Sequence, residues 1–239
     1  GELAQSEGFT GNRVVNHWIH GQHLLADGVK MAKSSGNAFI LSDIENQSID
    51  PLAFRYLCMT ARYFRRVNFT FTALKAAQRG LLRLYNHVWE WKTFSSNSVI
   101  TDHNVIEEWK KHFIELINNN LDLPQALSMM WRVVRSELSS RVKLEILLQY
   151  EKVLGLGLDS FDDKFQIPSE VHNLIGIRTR LRERRQYEEA DQIRDQLHKQ
   201  GYVVRDTRLG CLVRPKTDWE KREEKWATIS ASSEVECFT

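Results

Sequence analysis

The sequence predicts a mainly α-helical chain that closes with a small α+β unit. Apolar residues recur at three- and four-residue spacing through most of the stretch from Asp50 to Leu154. The breaks between these runs are short and polar, which suits antiparallel helices in a bundle. Two β-rich stretches near the end flank a turn containing Gly210, which predicts a hairpin.

Taken in order, Asp50 is an N-cap candidate with Pro51 at the first helical position, where a missing N–H costs nothing. After the capping candidates Thr70 and Thr72, Leu74, Ala77, Leu81, Leu84 and Val88 form one stripe. Ile106, Trp109, Phe113, Leu116 and Ile117 form a second stripe. Leu127, Met130, Trp131, Val134 and Leu138, following Pro124, form a third. The breaks between them are 95–98 and 118–120. A further helix from Ser140 to Leu154 stops at Gly155 and Gly157. Leu158 to Pro168 reads as a linker, with Ser169 as the next cap. A helix through Arg178–Arg185 and another over Tyr187–Gln200, closed by Gly201, precede strands at Tyr202–Arg205 and Cys211–Val213. Residues 216–239 are expected to form a fraying tail with a turn or two of helix around Trp219 and Trp226. Trp89, Trp91, Trp109 and Trp131 are read as bundle core.

Of the 239 residues 42% are hydrophobic and 27% charged, a balance that excludes disorder throughout. No apolar run approaches the roughly 20 residues of a membrane-spanning helix, so no membrane partner and a cytoplasmic location are expected. Cys58, Cys211 and Cys237 are far apart and odd in number, giving neither a disulfide framework nor a metal knuckle. A net charge of +2 is uninformative, and nucleic-acid binding must be argued from where the basic residues lie.

Two lysines, Lys30 and Lys33, share a short segment with Ser34, Ser35 and Gly36. As a bare loop this is a solvated turn. As chemistry, ammonium groups on a mobile loop stabilise a transition state that expels a polyphosphate. Lys30-Met31-Ala32-Lys33-Ser34 resembles the KMSKS loop of class I aminoacyl-tRNA synthetases, with Ala32 in place of serine. The surroundings resemble the cysteinyl-tRNA synthetase family in order. Gly1 to Glu7 is similar to its "NEIAQSE", with glycine where asparagine is usual, Val15 to Gly21 to "VNYWMHNG", and Asp50 onward through Arg65 to Phe69 to its "DALRFFLL…YRSPLNFS" helix. Pro124 to Leu127 is similar to "TPEA", and Lys152 to Leu156 matches "KVLGL".

The resemblance implies roles. Lys30 and Lys33 would be catalytic, and Lys30, Met31, Lys33 and Ser34 would bind ATP with Mg2+. The family holds a Zn2+ that binds the substrate thiol as thiolate and so rejects serine. Glu2 matches the glutamate ending its "HHENE" segment, while the remaining ligands and the HIGH motif do not occur in this sequence. His17, His20 and His23 are read as hydrogen-bonding groups, since the family's ligands lie elsewhere. With Gly1 where a methionine would start a chain, the sequence is read as the C-terminal portion of a longer enzyme, alone unable to form cysteinyl-adenylate.

Arg182, Tyr187, Ala190, Asp191, Ile193, Arg194, Asp195 and Leu197 resemble the family's anticodon-binding pattern, with tyrosine for tryptophan. Unpaired bases are recognised by stacking and by hydrogen bonds to exposed edges. Tyr187 would stack, Asp191 and Asp206 would accept from base N–H groups, and Arg182 would donate. For the arginine run 178–185, a solvated helix face and phosphate binding remain equally open.

The expected fold is therefore mainly α: a class I catalytic-domain remnant with the signature loop (1–48), a tRNA-binding helical bundle (49–157), a linker (158–168), an α+β anticodon-binding module (169–215) and a tail (216–239). The implied partners are cysteine-specific tRNA and L-cysteine, and the implied state is a monomer. Two rival readings are a free-standing, non-catalytic tRNA-binding paralogue and a cysteine ligase of thiol biosynthesis acting on a sugar amine.

Overall fold

The computed structural model describes residues 1–95, 103–159, 167–208 and 210–224. Helix α1 (Glu2–Thr10) ends at Gly11 and buries none of its residues. Strands β1 (Leu25–Ala26) and β2 (Val29–Lys30) make a tight antiparallel hairpin, and a 3-10 turn follows at Lys33–Ser35. Then come α2 (Leu41–Asn46), α3 (Pro51–Met59) and β3 (Asn68–Phe69), which pairs in parallel with β1 to complete a three-stranded sheet in the order β2-β1-β3.

The Asp50 carboxylate accepts from the Leu52 amide at 2.8 Å with Pro51 at the first position, as the sequence predicts. The helix does not run on toward Phe69. It stops at Met59, where Thr60 donates its backbone N–H and its hydroxyl to the Leu57 carbonyl. The chain then turns back so that Phe69 is buried in a cluster with Ile44, Ile49, Ala53, Leu57 and Leu74. Neither α1, α2 nor the short strands were legible, because none carries an apolar stripe long enough to count.

Helix α4 (Phe71–Ser95) starts with the Thr70 hydroxyl accepting from the Ala73 amide, and its expected stripe of Leu74, Ala77, Leu81, Leu84 and Val88 is buried throughout. With α5 (His103–Asn118), α6 (Leu123–Arg135) and α7 (Ser140–Leu154) it forms the bundle. Phe113 stacks on Tyr150 with ring centroids 4.0 Å apart, and the Tyr150 hydroxyl donates to the Trp109 carbonyl. Asp122 caps α6 and pairs with Arg62, tying the 60–67 turn to the bundle. Trp89 and Trp91 are core, whereas Trp109 and Trp131 are only partly buried and lie under the guanidinium groups of Arg132 and Arg83.

α7 ends at Gly155, whose φ of 57° is left-handed, and the Arg55 Nε donates to the preceding Leu154 carbonyl at 2.6 Å. A Cβ at this position would meet the Arg55 guanidinium at 3.2 Å. We expect Gly155→Ala to cost about 1–2 kcal/mol, from the left-handed backbone alone, read as a lower urea midpoint at unchanged slope.

The C-terminal unit pairs α8 (Ser169–Glu183) with α9 (Tyr187–Lys199) and adds the antiparallel hairpin β4 (Tyr202–Thr207) and β5 (Gly210–Pro215). Pro168, not Ser169, is the residue before the first turn of α8. A small core of Val171, Leu197 and Val213 joins the layers. The hairpin also docks on α4: the Trp89 indole donates to the Val213 carbonyl at 3.0 Å, and buried Arg214 reaches Asn86.

The helix expected around Trp219 is present, but this first part of the tail is held in place rather than fraying. Residues 218–224 are helical, Trp219 is buried, Arg214 is bidentate to Glu220, and buried Lys216 pairs with Glu224. Ion pairing of two buried cations fixes a segment whose composition alone reads as solvated. The rest of the tail with Trp226 and Cys237, most of the 95–98 break and residues 160–166 of the proposed linker lie outside the described residues.

Candidate functional site

The 30–37 loop is built on the β1–β2 hairpin. Its tip, Asp27-Gly28, takes positive φ at both residues, and the Gly28 amide donates to the Asn68 side chain at 2.8 Å. After β2 the Met31 amide returns to the Leu24 carbonyl, and the Met31 side chain packs against the cluster around Phe69. Met31 thus anchors the loop rather than facing outward. Gly36, with φ 65°, donates back to the Lys33 carbonyl.

Asn37 closes the loop. Its Oδ1 accepts from the Ala32 amide at 2.9 Å and its Nδ2 donates to the Lys30 carbonyl at 3.2 Å. Lys30, Lys33 and Ser34 are exposed, and among the described residues neither lysine forms an ion pair. Two unneutralised ammonium groups on a pinned but exposed loop can receive a multiply charged anion. Sequence reasoning missed Asn37; an asparagine directly after a left-handed glycine is the signal that could have found it.

Glu2 is solvent-exposed at the start of α1. His20 stacks with Trp18 at a centroid separation of 6.2 Å, and His17, His20 and His23 are all exposed. Among the described residues no three His, Cys, Asp or Glu side chains could together hold a metal ion. The described residues do not by themselves complete a zinc site.

At the other end, α8 and α9 join through Arg184 to Gln186, with Arg185 at φ 61°. This turn brings the Arg182 guanidinium over the Tyr187 ring, 6.0 Å from its centroid, and Tyr187 is 55% exposed. From β4, Asp206 faces the same place: Arg182 lies 3.3 Å from its Oδ2. Asp191, one turn along α9 from Tyr187, pairs with Arg194 at 3.1 Å. Three of the four expected anticodon residues thus meet directly, and Asp191 is linked through an arginine that also acts on Asp206.

Arg178 belongs to neither reading of the arginine run. It is 1% exposed and donates through both terminal nitrogens to Asp206, Nη1 to Oδ1 at 2.7 Å and Nη2 to Oδ2 at 2.9 Å. Nη1 also lies 3.3 Å from the Cys211 sulfur. The Arg178 hydrogen bonds hold the Asp206 carboxyl below the usual carboxylate range, with help from Arg182 and Arg194. Burial pushes the Cys211 thiol up, so it is a neutral neighbour rather than a thiolate.

With this geometry in hand, residues 1–79 match the family described as tRNA synthetases class I (C) catalytic domain. Residues 166–214 match the cysteinyl-tRNA ligase anticodon binding domain. Among curated proteins, the chain is similar to cysteine–tRNA ligase 1 of Burkholderia lata, 35% identical over 211 residues, covering 87% of this chain and 43% of that protein. The cysteine–tRNA ligase of Leptospira interrogans is 31% identical, with 90% and 49% covered, and that of Borrelia hermsii 30% identical, with 89% and 48% covered. The chain therefore spans a little under half the length of these relatives.

Proposed function

Because its two ends match the catalytic and anticodon-binding families of these ligases, the chain belongs to the cysteinyl-tRNA ligase family, and from that premise we propose that it serves the ATP-dependent joining of cysteine to its tRNA. In this reading Lys30 and Lys33 hold negative charge that develops on a departing pyrophosphate, Asn37 keeps their loop in shape, and Tyr187, Asp191, Asp206 and Arg182 receive the anticodon. Glu2 would supply one donor to a zinc site whose other ligands come from further protein. The uncovered apolar side chains Phe9, Ile19, Val29, Ile40 and Leu41 support a nucleotide-binding partner layer packed on this end.

The observation that carries the RNA reading is Tyr187: a ring more than half exposed, with the Arg182 guanidinium 6.0 Å from its centroid and that guanidinium in turn paired with Asp206. An unsatisfied aromatic face of this kind suits base stacking, which contributes about 1–3 kcal/mol per base. The anticodon-domain match over 166–214 favours this over a ligase for a sugar amine. Fluorescence anisotropy with cysteine-specific tRNA tests it. We expect tighter binding than to the same tRNA with an altered GCA anticodon, and Tyr187→Ala to weaken the cognate complex about 10-fold. Equal binding of all tRNAs would sink the assignment.

A further inference from the structure

We propose that Arg178, buried beneath the anticodon face, is a positioning residue that sets the plane of the Asp206 carboxylate for base recognition. This rests on the reading of Asp206 as a base acceptor. The pair is asymmetric: the Arg178 side chain is 2% exposed and that of Asp206 44%, so a buried cation holds a carboxylate that still reaches the surface. A fork of two parallel bonds, 2.7 and 2.9 Å, removes the freedom of a carboxylate to rotate about its last torsion.

The arrangement is also costly. Among the described residues the Arg178 Nε is buried without a hydrogen-bond partner, and besides Asp206 its Nη1 lies against the Cys211 thiol. A buried guanidinium with an orphan N–H contributes little net stability compared with an apolar side chain of similar volume. What it does supply is direction. Held from beneath, Asp206 keeps its place beside Arg182, the arginine next to the Tyr187 ring, and remains ionised, so it can only accept from a base N–H. A freely rotating carboxylate would accept from several donors and discriminate less.

The test is anisotropy titration of the whole chain with a GCA anticodon stem-loop and three stem-loops each altered at one anticodon base. Arg178→Lys keeps the charge and loses the fork. We expect it to lose at least 10-fold of its discrimination at one anticodon position, the same position at which Asp206→Asn loses it. Discrimination at the other two positions and the salt dependence of binding should stay unchanged. Arg178→Gln, which keeps one donor nitrogen and so cannot form the fork, should give the same signature and serves if lysine does not fold there. An Arg178 variant that discriminates like wild type, or that weakens all four complexes equally, overturns the positioning role. Wild-type protein that binds all four loops alike overturns the anticodon reading itself, and this inference with it.

Discussion

Lys33→Ala is expected to slow amino-acid activation by about 10²- to 10³-fold, the range seen when one preorganised charge-stabilising group is removed. The assay is ATP–pyrophosphate exchange by an enzyme in which this chain works with a nucleotide-binding half. The ammonium group is exposed, unpaired among the described residues and mounted on a short 3-10 turn between an extended Ala32 and a left-handed Gly36. Its charge therefore costs no competing ion pair when it swings onto an anion. Because charge accumulates on the leaving pyrophosphate mainly in the transition state, the loss should fall on kcat more than on KM. Affinity for tRNA should be unchanged. A parallel loss of tRNA binding, or a change confined to KM, would count against this role for the loop.

Glu220→Ala is expected to destabilise the C-terminal unit by about 3–5 kcal/mol, the cost of breaking a buried ion pair by removing one member. The Arg214 side chain is 3% exposed and that of Glu220 15%, with two parallel bonds of 2.7 and 2.8 Å. Glu220 also accepts from the Thr217 amide and hydroxyl at 2.8 and 2.9 Å. Burial alone would raise the Glu220 carboxyl, but the Arg214 and Thr217 bonds outweigh it and hold the group below its ordinary value. The contribution is thus present above the unfolded-state value and is lost as pH falls through the lower folded-state value. Urea melts should show a wide gap between wild type and variant at pH 7 that closes in strong acid. Replacing both partners, as Arg214→Met with Glu220→Leu, should recover most of the loss. A single substitution that left stability unchanged would show the 216–224 segment to be loosely held.

Much of the helical architecture was legible because its determinants are local. Asp50-Pro51, the stripe from Leu74 to Val88 and the Gly155 stop each state their structure within one or two turns of chain. What failed was settled by distant partners. Phe69 leaves a helical pattern because β1 offers it a parallel neighbour some forty residues back. Trp219 and Lys216 look like tail residues until His198, Glu224 and the α4 surface are beside them. In the candidate site, Arg182 and Tyr187 came from the family pattern, with Tyr187 also four residues from Asp191 on one helix face. Arg178 did not: one arginine among five in 178–185 carries no mark of being the buried one, since that depends on where β4 places Asp206.

Helix α4 has a consequence for how the chain can vary in length. In 25 residues, about 37 Å of helix, it serves the sheet cluster through Leu74 and Ala77, the bundle through Leu81 to Val88, and the C-terminal hairpin through Asn86 and Trp89. One residue added inside it would swing every later side chain by about 100° and advance it by about 1.5 Å, uncoupling the loop at one end from the hairpin at the other. The helix is in effect a gauge rod: it sets the separation and the relative rotation of the two ends in a single unit. Insertions and deletions among relatives should accordingly collect in the connections between helices and spare 71–95.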